Sequence, residues 1–127
     1  MNTRKRYVLV TDDEPDIRYL LRSILERGGH EVAEAGNGAE ALESARKRRP
    51  DLILLDLKMP VMDGFTCLEQ LKADPGLKDI PVVVVTAWGE LLEGEPAMAM
   101  AEAYIGKPFT PASLVGVVED VLTRPRS

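Results

Sequence analysis

Asp12 and Asp13 as neighbours, Asp56, Thr86 and Lys107 are the side chains in this sequence with the chemistry to handle charge on oxygen. Adjacent carboxylates repel, so a group of them either takes up protons or gathers a counter-charge. A hard divalent cation is one such counter-charge: Mg²⁺ takes a few carboxylate oxygens and completes its octahedron with waters and phosphate oxygens. The ammonium of Lys107 is a second, fixed one. Cation, lysine and a threonine hydroxyl together would hold the oxygens of a dianionic phosphoryl group. An aspartate carboxylate is itself a competent phosphoryl acceptor. Singly, each residue also has a plain structural role. Asp12-Asp13 ahead of Pro15 can cap a helix, Asp56 can end a strand, and Lys107-Pro108 can make a surface turn.

The chemistry follows only if the chain brings these residues together, so the elements decide. Short apolar runs alternate with amphipathic stretches. The runs are Tyr7–Val10, His30–Ala35, Leu52–Leu55, Pro81–Val85 and Ala103–Ile105. The third and fourth are continuously apolar, the pattern of strands covered on both faces. Between them, Ile17, Leu20, Leu21, Ile24 and Leu25 recur at helical spacing, as do Leu114, Val117, Val118, Val121 and Leu122. Pro15 suits a first helical position with Asp13 or Glu14 as cap, and Gly28-Gly29 ends that helix. Asn37 caps a second helix carrying Ala41, Leu42 and Ala45. Its basic tail, Arg46-Lys47-Arg48-Arg49, reads as a solvated end that complements the helix dipole. A third helix starts near Gly64 with Phe65, Leu68 and Leu71 inward and Cys67 as a bystander.

This alternation predicts an α/β fold, a parallel sheet with helices on both faces and right-handed crossovers. The flavodoxin-like (βα)5 three-layer sandwich, a five-stranded sheet of order 2-1-3-4-5, is one of the common doubly wound choices. Ligands of such sheets bind beyond the carboxyl ends of the strands. Asp12-Asp13, Asp56, Thr86 and Lys107 fall at those ends of strands 1, 3, 4 and 5. A merely structural sheet has no need to gather them there.

Bulk properties narrow the classes. The 127 residues suit a single domain, with a core from about residue 7 to 122. With 45% hydrophobic and 29% charged residues the composition is that of an ordinary soluble globular protein. A net charge of −5 argues against broad nucleic-acid or membrane-surface binding. The one cysteine, Cys67, excludes an intramolecular disulfide and fits a reducing compartment. Tyr7–Val10 is too short for a signal-peptide core, and no run approaches the roughly 18 apolar residues of a membrane span. The expected location is cytoplasmic. His30, the only histidine, starts strand 2 at the far end of the sheet from the aspartates, which argues against a relay role.

Over about Tyr7 to Leu122 the residues resemble the receiver domain of bacterial response regulators. The motifs that carry the likeness are Val10-Thr11-Asp12-Asp13-Glu14-Pro15, Asp56 through Met59-Pro60 to Asp63-Gly64, Thr86-Ala87, and Tyr104-Ile105-Gly106-Lys107-Pro108-Phe109. The resemblance implies that Asp56 takes a phosphoryl group from a sensor histidine kinase or a phosphotransfer protein. It implies a Mg²⁺ (or Mn²⁺) ion bound by Asp13 directly, Asp12 through water, Asp56 and the backbone carbonyl of Lys58. Thr86 would move to the phosphoryl group, Tyr104 would swing inward behind it, and Lys107 would contact it, with a cis bond to Pro108. The resemblance implies a signalling phosphoacceptor, able to phosphorylate itself and slowly lose phosphate, and not an enzyme in the usual sense. Its switch is a population shift biased by contacts of the phosphorylated state. Lys58 and Trp88 stand two residues beyond Asp56 and Thr86, where the resemblance implies side chains that tune attack of water on the acyl phosphate; Trp88 either shields it there or packs on the loop with no kinetic role.

The stretch between Thr86 and Lys107 departs from the family pattern. Gly89, Gly94 and Pro96 interrupt the helix expected there, which would start at Pro96 and be short. Leu91, Leu92, Met98 and Met100 are either core residues or an exposed docking patch, and no dimerisation mode is carried over. The chain ends at Ser127, just after the last helix, with no room for an output domain. The protein is then a stand-alone regulator acting on a downstream protein, or a receiver cut from a longer chain. A phosphohydrolase of the haloacid-dehalogenase type needs a second aspartate where Lys58 stands. A pseudo-receiver scaffold would not need intact Asp12, Asp13, Asp56, Thr86 and Lys107.

Overall fold

A computed structural model describes residues 5–57, 59, 62, 64–87 and 100–124. Its strands are β1 (Tyr7–Thr11), β2 (Glu31–Ala35), β3 (Leu52–Leu55), β4 (Val82–Ala87) and β5 (Ala103–Lys107). All pair in parallel, in the order β2-β1-β3-β4-β5. The helices among the described residues are α1 (Pro15–Arg27), α2 (Gly38–Lys47), α3 (Gly64–Ala73) and α4 (Pro111–Thr123). This is the expected flavodoxin-like order, and it makes β1 and β3 neighbours at the centre.

The unbroken apolar runs become the inner strands because both of their faces are covered. Alternate side chains serve opposite layers. Val8, Val10, Leu52, Leu54, Val83 and Val85 pack against Leu21 and Leu25 of α1 and Leu114 and Val118 of α4. Leu9, Ile53, Leu55 and Val82 pack against Ala41 and Leu42 of α2 and Leu68 and Leu71 of α3. Cys67 lies fully buried in that second layer, its Sγ 3.7 Å from the Gly38 carbonyl. No helix among the described residues is long and apolar enough to cross a membrane.

Several local expectations are corrected. Leu20 does not share the buried stripe of α1: it is 44% exposed beside Tyr19 at 71%, and the stripe narrows to Leu21, Ile24 and Leu25. Glu14 occupies the N-cap of α1 without a side-chain cap bond. Asp12 Oδ1 instead accepts the Glu14 N–H at 2.9 Å, because the carboxylate two residues upstream already faces that amide. The chain leaves α1 through Gly29 at φ +90°, a left-handed conformation that favours glycine. Asn37 caps α2 as expected, accepting the Glu40 N–H at 2.9 Å. The basic tail of α2 is solvent-exposed as expected, and surface contacts tie its three arginines. Arg48 forks onto Glu31 and lies over the Tyr7 ring, Arg46 reaches Asp74, and Arg49 donates to the Gly76 carbonyl. The strands run past the apolar runs, β4 to Ala87 and β5 to Lys107; Lys107 ends its strand as expected, and Thr86 stands one residue before the end of β4. The helix expected from Pro96, with Leu91, Leu92 and Met98, lies outside the described residues; Met100 is exposed.

Candidate functional site: an acidic crevice at the carboxyl edge of the sheet

The central strands β1 and β3 deliver the carboxylates. Asp12 and Asp13 follow β1 directly, and Asp56 follows β3, tied across by its N–H to the Thr11 carbonyl at 2.9 Å. One oxygen from each of Asp12, Asp13 and Asp56 lies within 4.8 Å of the others. Asp12 and Asp56 are buried, so their mutual repulsion is little screened by water.

Lys107 reaches this cluster from β5. Its Nζ lies 2.9 Å from Asp12 Oδ2, 3.6 Å from Asp56 Oδ2 and 3.8 Å from Glu14 Oε1. Burial pulls the lysine pKa down, but the hydrogen bond to Asp12 and the charges of Asp56, Asp12 and Glu14 outweigh it. The net effect is a pKa above the usual lysine value, so Lys107 stays charged. The Lys107–Pro108 bond is cis, as the resemblance implied.

The rest of the crevice is built from backbone. Asp12 is held at every polar group. Oδ1 takes the Glu14 N–H, Oδ2 takes Lys107, its N–H donates to the Ala35 carbonyl at 3.1 Å, and its carbonyl accepts Arg18 Nη1 at 2.6 Å. Gly64 closes the loop after β3 by donating its N–H to the Leu57 carbonyl at 2.8 Å. A Cβ at this position would stand 2.4 Å from the Asp56 carbonyl oxygen and 2.4 Å from Leu57 Cα. Only glycine permits that approach. Thr86 is buried in β4 opposite Gly106, and among the described residues its hydroxyl has no hydrogen-bond partner. Tyr104 points outward at 37% exposure, its phenol pKa raised by partial burial.

Among the described residues the donor set fits a hard divalent cation: clustered carboxylate oxygens, no soft ligand, and three carboxylates beside one lysine. Of the residues expected here, Asp12, Asp13, Asp56 and Lys107 come together, and Thr86 lies at the same edge of the sheet. Lys58 and Trp88 lie outside the described residues. His30 sits at the opposite end, its Nδ1 accepting the Arg6 N–H at 3.3 Å and its Nε2 lying 2.7 Å from Glu119 Oε2. Sequence reasoning missed Arg18 and Glu34, which brace Asp12 from behind. The available signal was Arg18 and Arg22 four residues apart on α1, facing the acid-bearing strand β2.

A family model for the response regulator receiver domain matches residues 8–119. The chain is 37% identical to the DNA-binding response regulator MtrA of Mycolicibacterium smegmatis over 98% of this chain and 54% of that protein. It spans about half the length of the curated relatives it matches. Among solved structures, the N-terminal domain of a response regulator receiver protein from Methanoculleus marisnigri is 41% identical, with a TM-score of 0.76 over 94% of this chain and 98% of that one. The chemotaxis protein CheY4 of Vibrio cholerae superposes with a TM-score of 0.84 at 32% identity, over 93% of this chain and 99% of that one. On its sequence and its fold, the chain belongs to the response regulator receiver domains of two-component signalling.

Proposed function

We propose that Asp56 accepts a phosphoryl group from a phosphohistidine on a sensor histidine kinase or phosphotransfer protein. The observation that carries this is the convergence of Asp12, Asp13 and Asp56 on one point with Lys107 beside them. A carboxylate oxygen of Asp56 attacks phosphorus, a P–O bond forms, the P–N bond breaks, and the imidazole leaves and takes up a proton. Lys107, 3.6 Å from Asp56, offsets negative charge on the entering group. Asp12, Asp13 and Asp56 would hold a Mg²⁺ ion, which when bound would supply charge neutralisation for the entering phosphoryl group. The buried hydroxyl of Thr86, without a partner among the described residues, supports donation to a phosphoryl oxygen. Tyr104, outward here, is then free to follow it inward, and the switch is read by an attached output module or a separate protein. The DNA binding named for MtrA would belong to such a module and not to this acidic domain.

Intact-mass spectrometry after incubation with acetyl phosphate and Mg²⁺ tests the acceptor. A labile adduct of one phosphoryl group is expected on the wild type and not on Asp56→Asn. Persistence in the variant would move the acceptor elsewhere. A wild type that binds Mg²⁺ but gains no adduct would favour a scaffold.

A further inference from the structure

Behind the acidic crevice stands a layer of charge on which the carboxylates rest. Arg18 of α1 is only 20% exposed at its side chain and points one guanidinium edge at Glu34 and another at the backbone of Asp12. Its Nη1 meets the Asp12 carbonyl at 2.6 Å, the short range of charge-assisted bonds, and its Nε meets Glu34 Oε1 at 3.1 Å. The other oxygen of Glu34 takes Arg22 Nη1 at 2.8 Å, and Arg22 also pairs with Glu26. The bond from Arg22, opposed by some loss of hydration and helped by the bond from Arg18, holds Glu34 below the usual carboxylate range. Arg18 is thus itself anchored, on an ion that stays charged.

The carbonyl that Arg18 holds belongs to the peptide joining Asp12 to Asp13. Its orientation sets where both side chains project. Asp12 has further anchors in Glu14, Lys107 and Ala35. Among the described residues Asp13 has no side-chain hydrogen bond, so its direction comes from the backbone. We propose that Arg18 is a positioning residue for the cation site, fixing the Asp12–Asp13 peptide through its carbonyl so that both carboxylates face the crevice. Glu34 and Arg22 hold Arg18 in place. The inference rests on the reading of the cluster as a Mg²⁺ site.

Charge and positioning make opposite predictions. A cation beside a cation site repels its occupant, so on charge alone removal of Arg18 would tighten Mg²⁺ binding. As a positioning residue its removal weakens binding, and outer partners of metal ligands typically contribute about 10-fold or more in affinity. The test is calorimetric titration of the whole chain with MgCl₂ at fixed ionic strength, for the wild type, Arg18→Ala and Arg18→Lys, with thermal unfolding in parallel. Binding weaker by about 10-fold in both variants is expected. Lysine keeps the charge but not the fork that spans Glu34 and Asp12. Unchanged or tighter binding in Arg18→Ala overturns the proposal while leaving the cation site intact. If Arg18→Ala does not fold, Arg18→Lys decides alone: wild-type affinity overturns the proposal, and weaker binding supports it. A wild type that binds no Mg²⁺ removes the cation reading itself, and this proposal with it.

Discussion

Thr86 carries a hydroxyl that folding has buried and that has no partner among the described residues. A buried polar group in that state costs roughly 1–3 kcal/mol of desolvation. For Thr86, a phosphoryl oxygen is the partner the proposed function supplies. Thr86→Val keeps the shape and removes the hydroxyl. The variant should therefore be more stable than the wild type without phosphate, by about 1 kcal/mol in thermal or urea unfolding. Thr11 is the comparison, since its hydroxyl is also buried and unpartnered. Thr11→Val should stabilise in the same sense. Only Thr86→Val should lose the extra stability that phosphorylation brings. A drop in melting temperature for Thr86→Val would show that its hydroxyl already has a partner.

At the scale of elements, the loop that carries Asp56 depends on how closely α3 approaches β3. Gly64 sits where a Cβ would meet backbone atoms on both Asp56 and Leu57, and backbone cannot rotate away as a flexible side chain can. Gly64→Ala should cost about 1–3 kcal/mol, the usual range for an overpacked site. It should also weaken Mg²⁺ binding, because the atoms that must shift belong to the residue bearing the acceptor. Unfolding and Mg²⁺ titration on the same variant check both. Wild-type values in each would mean the loop absorbs the methyl without moving Asp56. This close approach was half legible in the sequence. Gly64 marked a helix start, but nothing in the string of letters shows how near another backbone comes. The continuous apolar runs of β3 and β4 announced the inner strands, and reading the strand ends in sheet order found Asp12, Asp13, Asp56, Thr86 and Lys107. Leu20 was misplaced because helical spacing admits a wider stripe than the two neighbouring elements cover. The bond from Arg18 to Asp12, unlike its pairing with Glu34, was invisible for a different reason. The acceptor is a backbone carbonyl, which every residue has, so no residue type at any spacing advertises it.

Across the whole molecule, the sheet separates two charged clusters that share no residue. Strands of this length, about 17 Å, run between them. At the carboxyl end, carboxylates crowd together under one lysine. At the amino end, His30 is buried between the Arg6 amide and Glu119 of α4. Among the described residues the first gathers three carboxylates beside one lysine, the donor set of the proposed Mg²⁺ site, and the second pairs one ring with one amide and one carboxylate. Mg²⁺ should therefore stabilise the fold by mass action, about 2.7 kcal/mol when its concentration is 100 times the dissociation constant. Asp13→Asn should lose much of that increment, since one clustered carboxylate no longer holds charge. Glu119→Ala should act differently. It leaves the buried His30 ring without its partner and should lower stability by about 1–3 kcal/mol with or without Mg²⁺. Effects at well-separated sites add, so its Mg²⁺ increment should match that of the wild type within about 0.5 kcal/mol. Melting temperatures measured with and without MgCl₂ for the wild type and both variants make the comparison. A Glu119→Ala protein that also loses its Mg²⁺ increment would mean that the two ends of the sheet are coupled through α4 or β1, and that the crevice is not built locally.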